Sequence, residues 1–178
     1  MAKQQDSVIV KTVIKKAHQL GAEDVKLIPT SDIVVNHWVR LKCQFGCGEY
    51  NHRLSCPPHV PSVETTKKIL SEYDSILLIR SPLDSSKTGW KEINNLMIEL
   101  ETWAFLQGYY KAFALTSGPC PHCSKCNLET CTHPDKARPS MEAMGIDVYA
   151  TVNNAGYELK VVTSEQETAT YHGLLLLK

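Results

Sequence analysis

The stretch Ser75-Ile-Leu-Leu-Ile-Arg80 is an apolar run of strand length, and the pattern of the next 35 residues or so decides the fold class. Trp90, Ile93, Met97, Leu100 and Ala104 recur at the spacing of one helical face as far as Gly108, after which Tyr110 to Leu115 turns apolar again. Strand, helix and strand in that order predict a crossover unit, and with it an α/β (or α+β) fold with a central sheet, flanking helices and cysteine-rich loops.

Toward the N-terminus, Val10, Val13, Ile14, Ala17 and Leu20 mark a helix capped at Asp6 or Ser7 and stopped by Gly21. Val25 to Ile28, Ile33 to Val35 and Trp38 to Leu41 are β-branched or aromatic stretches around Pro29 that predict short strands. Ser62 predicts the cap of a helix carrying Val63, Ile69 and Leu70. Toward the C-terminus, a brief helix is predicted from Pro139 through Ala143 to Gly145, and Leu159 to Val162 and Leu174 to Leu177 predict closing strands around the turn Asn153-Asn154-Ala155-Gly156. No stretch reads as a linker, so residues 1–178 are expected to form a single metal-binding domain with cysteine loops at 43–61 and 118–139.

A chain of 178 residues can bury a core without disulfides. Its 19 basic and 19 acidic side chains cancel, so no net field draws it to nucleic acid or an anionic membrane, and neither is expected as a partner. Met1 to Asp6 is polar and no apolar run approaches the roughly 20 residues of a membrane span, which predicts a cytoplasmic protein. There the seven cysteines would stay reduced, and an odd number cannot all pair, so metal ligation is the leading reading of their abundance.

Cys120, Cys123, Cys126 and Cys131 read C-x2-C-x2-C-x4-C in a loop broken by Gly118, Pro119 and Pro121. Thiolates are soft anionic donors suited to sulfide-bridged iron, and two-residue gaps let one tight loop offer three of them to a 4Fe-4S cubane while a fourth closes it. Zinc can take the same ligands, although its structural sites usually pair two C-x2-C knuckles across a longer stretch. His122 and His133 can replace a cysteine or donate to a sulfur, and Lys136 and Arg138 lie where cations would offset the charge of a thiolate-held cluster.

Cys43, Cys47 and Cys56 read C-x3-C-x8-C, with Pro57-Pro58 directly after. Three thiolates predict a second site whose fourth corner is His52, His59 or an iron left open to substrate, with Lys42, His52, Arg53 or His59 nearby for acid-base work. In two-cluster ferredoxins the fourth cysteine of a run serves the neighbouring cluster, so Cys131 could belong to either site.

Together, Cys43-x3-Cys47, Cys56-Pro57-Pro58, the Cys120 run and the tail from Cys131-Thr132-His133-Pro134 through Ala137 to Ala143 resemble an uncharacterised prokaryotic family of predicted metal-binding proteins. The resemblance implies metal binding through these cysteines and an archaeal or anaerobic bacterial source. The Cys120 run also looks like a bacterial ferredoxin ligand run, but with four residues rather than three before its last cysteine and no proline directly after it.

Three functions are compatible with these motifs. One is an iron-sulfur protein with one or two 4Fe-4S clusters that exchanges electrons with a partner protein. Another is an enzyme whose open iron at Cys43, Cys47 and Cys56 takes a small-molecule substrate. The third is a zinc-stabilised interaction module without catalysis, with Trp38, Tyr50 and Tyr73 as a contact surface. No phosphate loop, dinucleotide fingerprint, Ser-His-Asp set or carboxylate pair is present.

Overall fold

The apolar run at 76–80 becomes a strand because both of its faces are covered. In a computed structural model that describes residues 2–82, 89–164 and 167–178, with the side chains of residues 2–9 left aside, Ile76–Arg80 forms β2. It pairs antiparallel with β1 (Asp24–Ile28) on one side and with β4 (His172–Leu176) on the other, and β3 (Phe113–Leu115) pairs antiparallel with β4. The order is β1-β2-β4-β3. Successive side chains of a strand face opposite ways, so Leu77, Ile79 and Leu175 enter one core while Ile76, Leu78, Leu174 and Leu176 enter another. That two-sided burial explains why ILLI and LLLL are continuous rather than alternating.

The first core is closed by α1 (Ala2–Gln19) and α4 (Gly89–Leu106), whose Val13, Ala17, Ile93, Met97, Leu100 and Ala104 are all buried. Gly173 in β4 allows that approach, because a Cβ there would stand 2.9 Å from both Met97 Sδ and the Leu115 carbonyl. The second core has no long helix over it. It is covered by α3 (Val63–Leu70), α5 (Val148–Asn154) and irregular chain carrying Met141, Met144 and Ile146. This looser layer, with α2 (His37–Gly46), carries the cysteine segments.

The expected fold class is observed, as a mixed α/β arrangement on a four-stranded sheet. The crossover is also present, split by an intruder. Since β2 and β3 are both antiparallel to β4, they run parallel to each other, with α4 joining them and β4 inserted between. Ser62 caps α3 as expected, its Oγ accepting from the Thr65 N–H at 3.2 Å.

Several expectations are corrected. Helix α1 begins at Ala2, ahead of Asp6 and Ser7. Trp38 to Leu41 lies in helix α2, because the face that matters runs on from buried Val39 to half-buried Cys43 one turn later, a period that four residues cannot display. Ile33 to Val35 supplies one bridge, Val35 to Ile146, and no strand. Ser140 to Gly145 is a single turn, with the Met144 N–H donating to the Ser140 carbonyl at 3.2 Å, and Leu159 to Val162 has no regular structure. Of Asn153-Asn154-Ala155-Gly156, whose residue types predict a turn, the first two end α5, a helix capped by Asp147, and Ala155 and Gly156 form the turn that follows. Among the described residues, no helix is long and apolar enough to cross a membrane.

Candidate metal centre

The segment that carries Cys120, Cys123, Cys126 and Cys131 is pinned at both ends to one point. Thr116, just after β3, bridges Ser140: its N–H donates to the Pro139 carbonyl at 2.9 Å, and its carbonyl accepts from the Met141 N–H at 2.9 Å. Between these ends residues 117–139 form an irregular loop. Gly118 opens it at φ +67°, with its α-carbon face against Trp90, whose Cε3 would lie 3.3 Å from a Cβ. The loop leaves the C-terminal end of β3, which edges an antiparallel sheet, so the tendency of open parallel sheets to carry sites at their strand ends is not its cause.

All four cysteines of this loop are half-buried and line one small pocket, together with His122, His133 and residues 53–55 of the first segment. The pocket leaves about 20 Å³ between its walls. Cys123 Sγ lies 3.4 Å from Thr132 Oγ1, and Cys126 Sγ lies 3.7 Å from the Asn127 carbonyl. Burial raises the Cys120 thiol, against the pull of an amide hydrogen bond and the Arg53 guanidinium. His122 Nε2 is buried without a hydrogen-bond partner, and its ring lies 6.0 Å from that of His133.

Cys43, Cys47 and Cys56 line a second, much larger cavity of about 930 Å³. Cys43 stands in the last turn of α2 and its thiol faces the Glu142 carbonyl at 3.8 Å; Cys47 comes next as the capping residue of that helix; Cys56 is buried in the turn before Pro57 and Pro58. Arg40, one turn before Cys43, donates Nη1 to the Pro61 carbonyl at 3.3 Å and also to that of Ala143, tying α2 to the end of the first cysteine segment and to the turn that follows the second. Burial raises the Cys43 thiol, and burial with the neighbouring Cys47 pushes Cys56 up to about 11. Both hold their protons unless a metal displaces them.

Arg53 stands between the two thiol groups. Its Nη1 donates to the Cys123 carbonyl at 2.9 Å, Glu49 fixes the guanidinium at Nε (2.6 Å), and its charge acts on both Cys120 and Cys56. The two pockets therefore nearly touch along the chain, since Ser55 lines one and Cys56 the other.

Other expected side chains are placed less centrally. His52 Nδ1 is 2.8 Å from the Gly48 carbonyl and His59 Nε2 is 3.0 Å from Asn51 Oδ1; both are exposed and neither lines the three-thiol cavity. Lys42, Trp38 and Tyr50 do line it, whereas Tyr73 packs against the second core and donates its hydroxyl to the Lys111 carbonyl. Arg138 does not face the thiols. It pairs with Glu101 of α4 at 2.5 Å and 2.7 Å, and Glu101 Oε2 also accepts from the Ala114 N–H.

Two residues are given no role by the sequence. Glu142 is half-buried on the wall of the large cavity; burial pushes its carboxyl up and Oε2 has no hydrogen-bond partner. An acid in the apolar run Met141-Glu142-Ala143-Met144 is the one signal that could have found it. His172 is buried at the start of β4 with both ring nitrogens unpartnered, and burial with the Arg80 charge holds it down to about 4. It lines a third cavity of about 590 Å³ that shares Glu142, Val148, Tyr149 and Val161 with the large one.

The donor chemistry fits a thiophilic metal. Seven thiols divide four and three between two pockets, and the orphaned His122 nitrogen offers a donor to a sulfur or a direct ligand. Among the described residues, no three thiol, imidazole or carboxylate groups converge tightly enough to share a single ion. Residues 26–177 match the model of a family described as predicted metal-binding protein (DUF2284). The chain belongs to that family. No curated protein and no solved structure matches it. Membership establishes predicted metal binding for nearly the whole chain, in keeping with the cysteine motifs that carry the resemblance.

Proposed function

We propose that this is an iron-sulfur protein with two thiol-held sites of different kind. Cys120, Cys123, Cys126 and Cys131 would close a 4Fe-4S cluster, and Cys43, Cys47 and Cys56 would hold a second whose remaining iron faces the large cavity. Clusters so held would supply one-electron transfer, and an open iron would supply a Lewis-acid position.

One observation carries the reading: the seven thiols fall four and three into two neighbouring pockets. The C-x2-C-x2-C run in the four-thiol loop suits a cubane, while structural zinc sites usually pair two C-x2-C knuckles across a longer stretch. The adjacency of Ser55 and Cys56 makes the pockets close neighbours, which favours electron passage between them. Arg53 then places one cation beside both, and Glu142 supplies a shielded carboxyl where substrate would stand. The expected partners are a protein electron donor and a small molecule.

A second reading has its own support. The four-thiol pocket has room for about one water molecule, less than an eight-atom iron-sulfide core, and that volume favours a single zinc ion there. Metal and acid-labile sulfide analysis of anaerobically prepared protein separates the two. Iron and sulfide in equal amounts are expected; zinc without sulfide would end the iron-sulfur reading.

A further inference from the structure

The large cavity has more room than three thiols and their metal require. Its volume of about 930 Å³ stands near the top of the roughly 300–1,000 Å³ found for small-molecule sites. Its walls are mainly apolar. Trp38, Tyr149 and Val161, which are 46%, 41% and 64% exposed, all line it, so three of the large apolar side chains left in water belong to one concavity. Scattered exposed apolar residues need no explanation, but a group of them around a cavity marks a binding surface. Tyr50 adds a third aromatic ring to the lining.

The charge on the walls is also uneven. Lys42 is exposed and is the one lysine or arginine among the described lining residues, and it forms no ion pair among the described residues. Of the two acids on the walls, Asp147 is already engaged, its Oδ1 accepting from the Ala150 N–H at 3.0 Å as the cap of α5, and burial pushes the Glu142 carboxyl toward its neutral form. A free ammonium beside aromatic walls suits a ligand whose rings enter while its anion stays near water.

We propose that this cavity binds a planar, largely apolar organic anion, its rings against Trp38, Tyr50 and Tyr149 and its charge at Lys42. In naming a ligand class this deepens the open three-thiol reading and rests on it for the chemistry done there. The binding itself depends only on the cavity.

The test uses holoprotein prepared anaerobically and two probes that differ by one sulfonate: 1-anilinonaphthalene-8-sulfonate and neutral N-phenyl-1-naphthylamine. Calorimetry is expected to show one sulfonate probe bound per chain. Ala150→Trp, which fills the cavity from α5, should weaken both probes by about tenfold or more while leaving the metal content unchanged. Val148→Phe should do the same by a smaller factor and guards against misfolding of the first variant. Lys42→Gln should weaken the sulfonate probe by about fivefold and leave the neutral one unchanged.

Equal binding of the two probes, unaltered by Lys42→Gln, would overturn the anion assignment. Binding of both that neither cavity-filling variant weakens, or no binding at all, would overturn the cavity as a ligand site. Protein that carries only zinc yet shows the expected pattern would support this inference while ending the iron-sulfur reading.

Discussion

The four-thiol pocket and the three-thiol cavity use the same donor atom and differ in access. One leaves about 20 Å³ between walls made by a loop pinned at Thr116 and Ser140; the other opens about 930 Å³ between α2, α5 and the turn at Glu142. Metal sites show the same division elsewhere, since structural centres are closed by protein ligands and catalytic ones keep a position free. On the proposed function, that difference would give retention and relay to the Cys120 loop, and chemistry on a substrate to the Cys43 site.

The largest effects should come from the ligands themselves. Cys126→Ala is expected to strip metal from the closed site and leave the open one loaded, and Cys47→Ala to do the reverse, as read by metal and sulfide per chain. Loss of all metal in both variants would merge the two sites into one. No loss in either would remove both.

Next comes the tether of the closed loop. Arg138 and Glu101 form the most buried ion pair among the described residues, with 14% and 11% of their side chains exposed. Glu101→Ala strands the Arg138 charge and the Ala114 N–H, so denaturant unfolding should show a loss of about 3–5 kcal/mol. Replacing both residues by leucine should recover much of that, because an apolar pair avoids the desolvation cost. A Glu101→Ala variant as stable as the unaltered protein would mean that the tether contributes nothing.

His172 sharpens the contrast from the open side. Its folded pKa, about 4, lies below the ordinary 6.5, so the unfolded chain takes up a proton first as the pH falls. The stability that this group confers is complete above pH 6.5 and is lost as the pH falls through 4, by at most about 3 kcal/mol. His172→Phe should flatten that part of the stability curve in urea titrations. An unchanged slope would show that the ring is not held neutral.

The sequence displays what has a long enough period or a dense enough motif. β2, β4 and α4 are legible because two-sided burial makes runs such as ILLI, and an 18-residue helix repeats its face several times. Helix α2 is not, since Trp38, Leu41 and Phe45 face water and leave only Val39 and Cys43 to mark the inner side. The division of cysteines into four and three is visible as spacing, and the two pockets respect it. What spacing cannot carry is which cations and acids the tertiary fold brings up. Arg138, close to the thiols in sequence, belongs to Glu101, while Arg53, in sequence a companion of Cys43, also reaches the Cys120 loop.

Arg53 gives the smallest expected effect and the most selective one. Its guanidinium is fixed by Glu49 and acts on Cys120 in one pocket and Cys56 in the other, so it is the one charge through which the two regions are expected to respond together. A cation beside a thiolate-held cluster favours the reduced, more negative state. Arg53→Gln should therefore lower both midpoint potentials, by about 40 mV each if the lost interaction is about 1 kcal/mol for a one-electron couple. Lys42→Gln, at the large cavity alone, should lower only the potential of the open site. Potentiometric titration with electron paramagnetic resonance detection resolves the two. A shift confined to one cluster in the Arg53 variant would mean that the closed and open regions, though neighbours in the chain, are electrostatically separate.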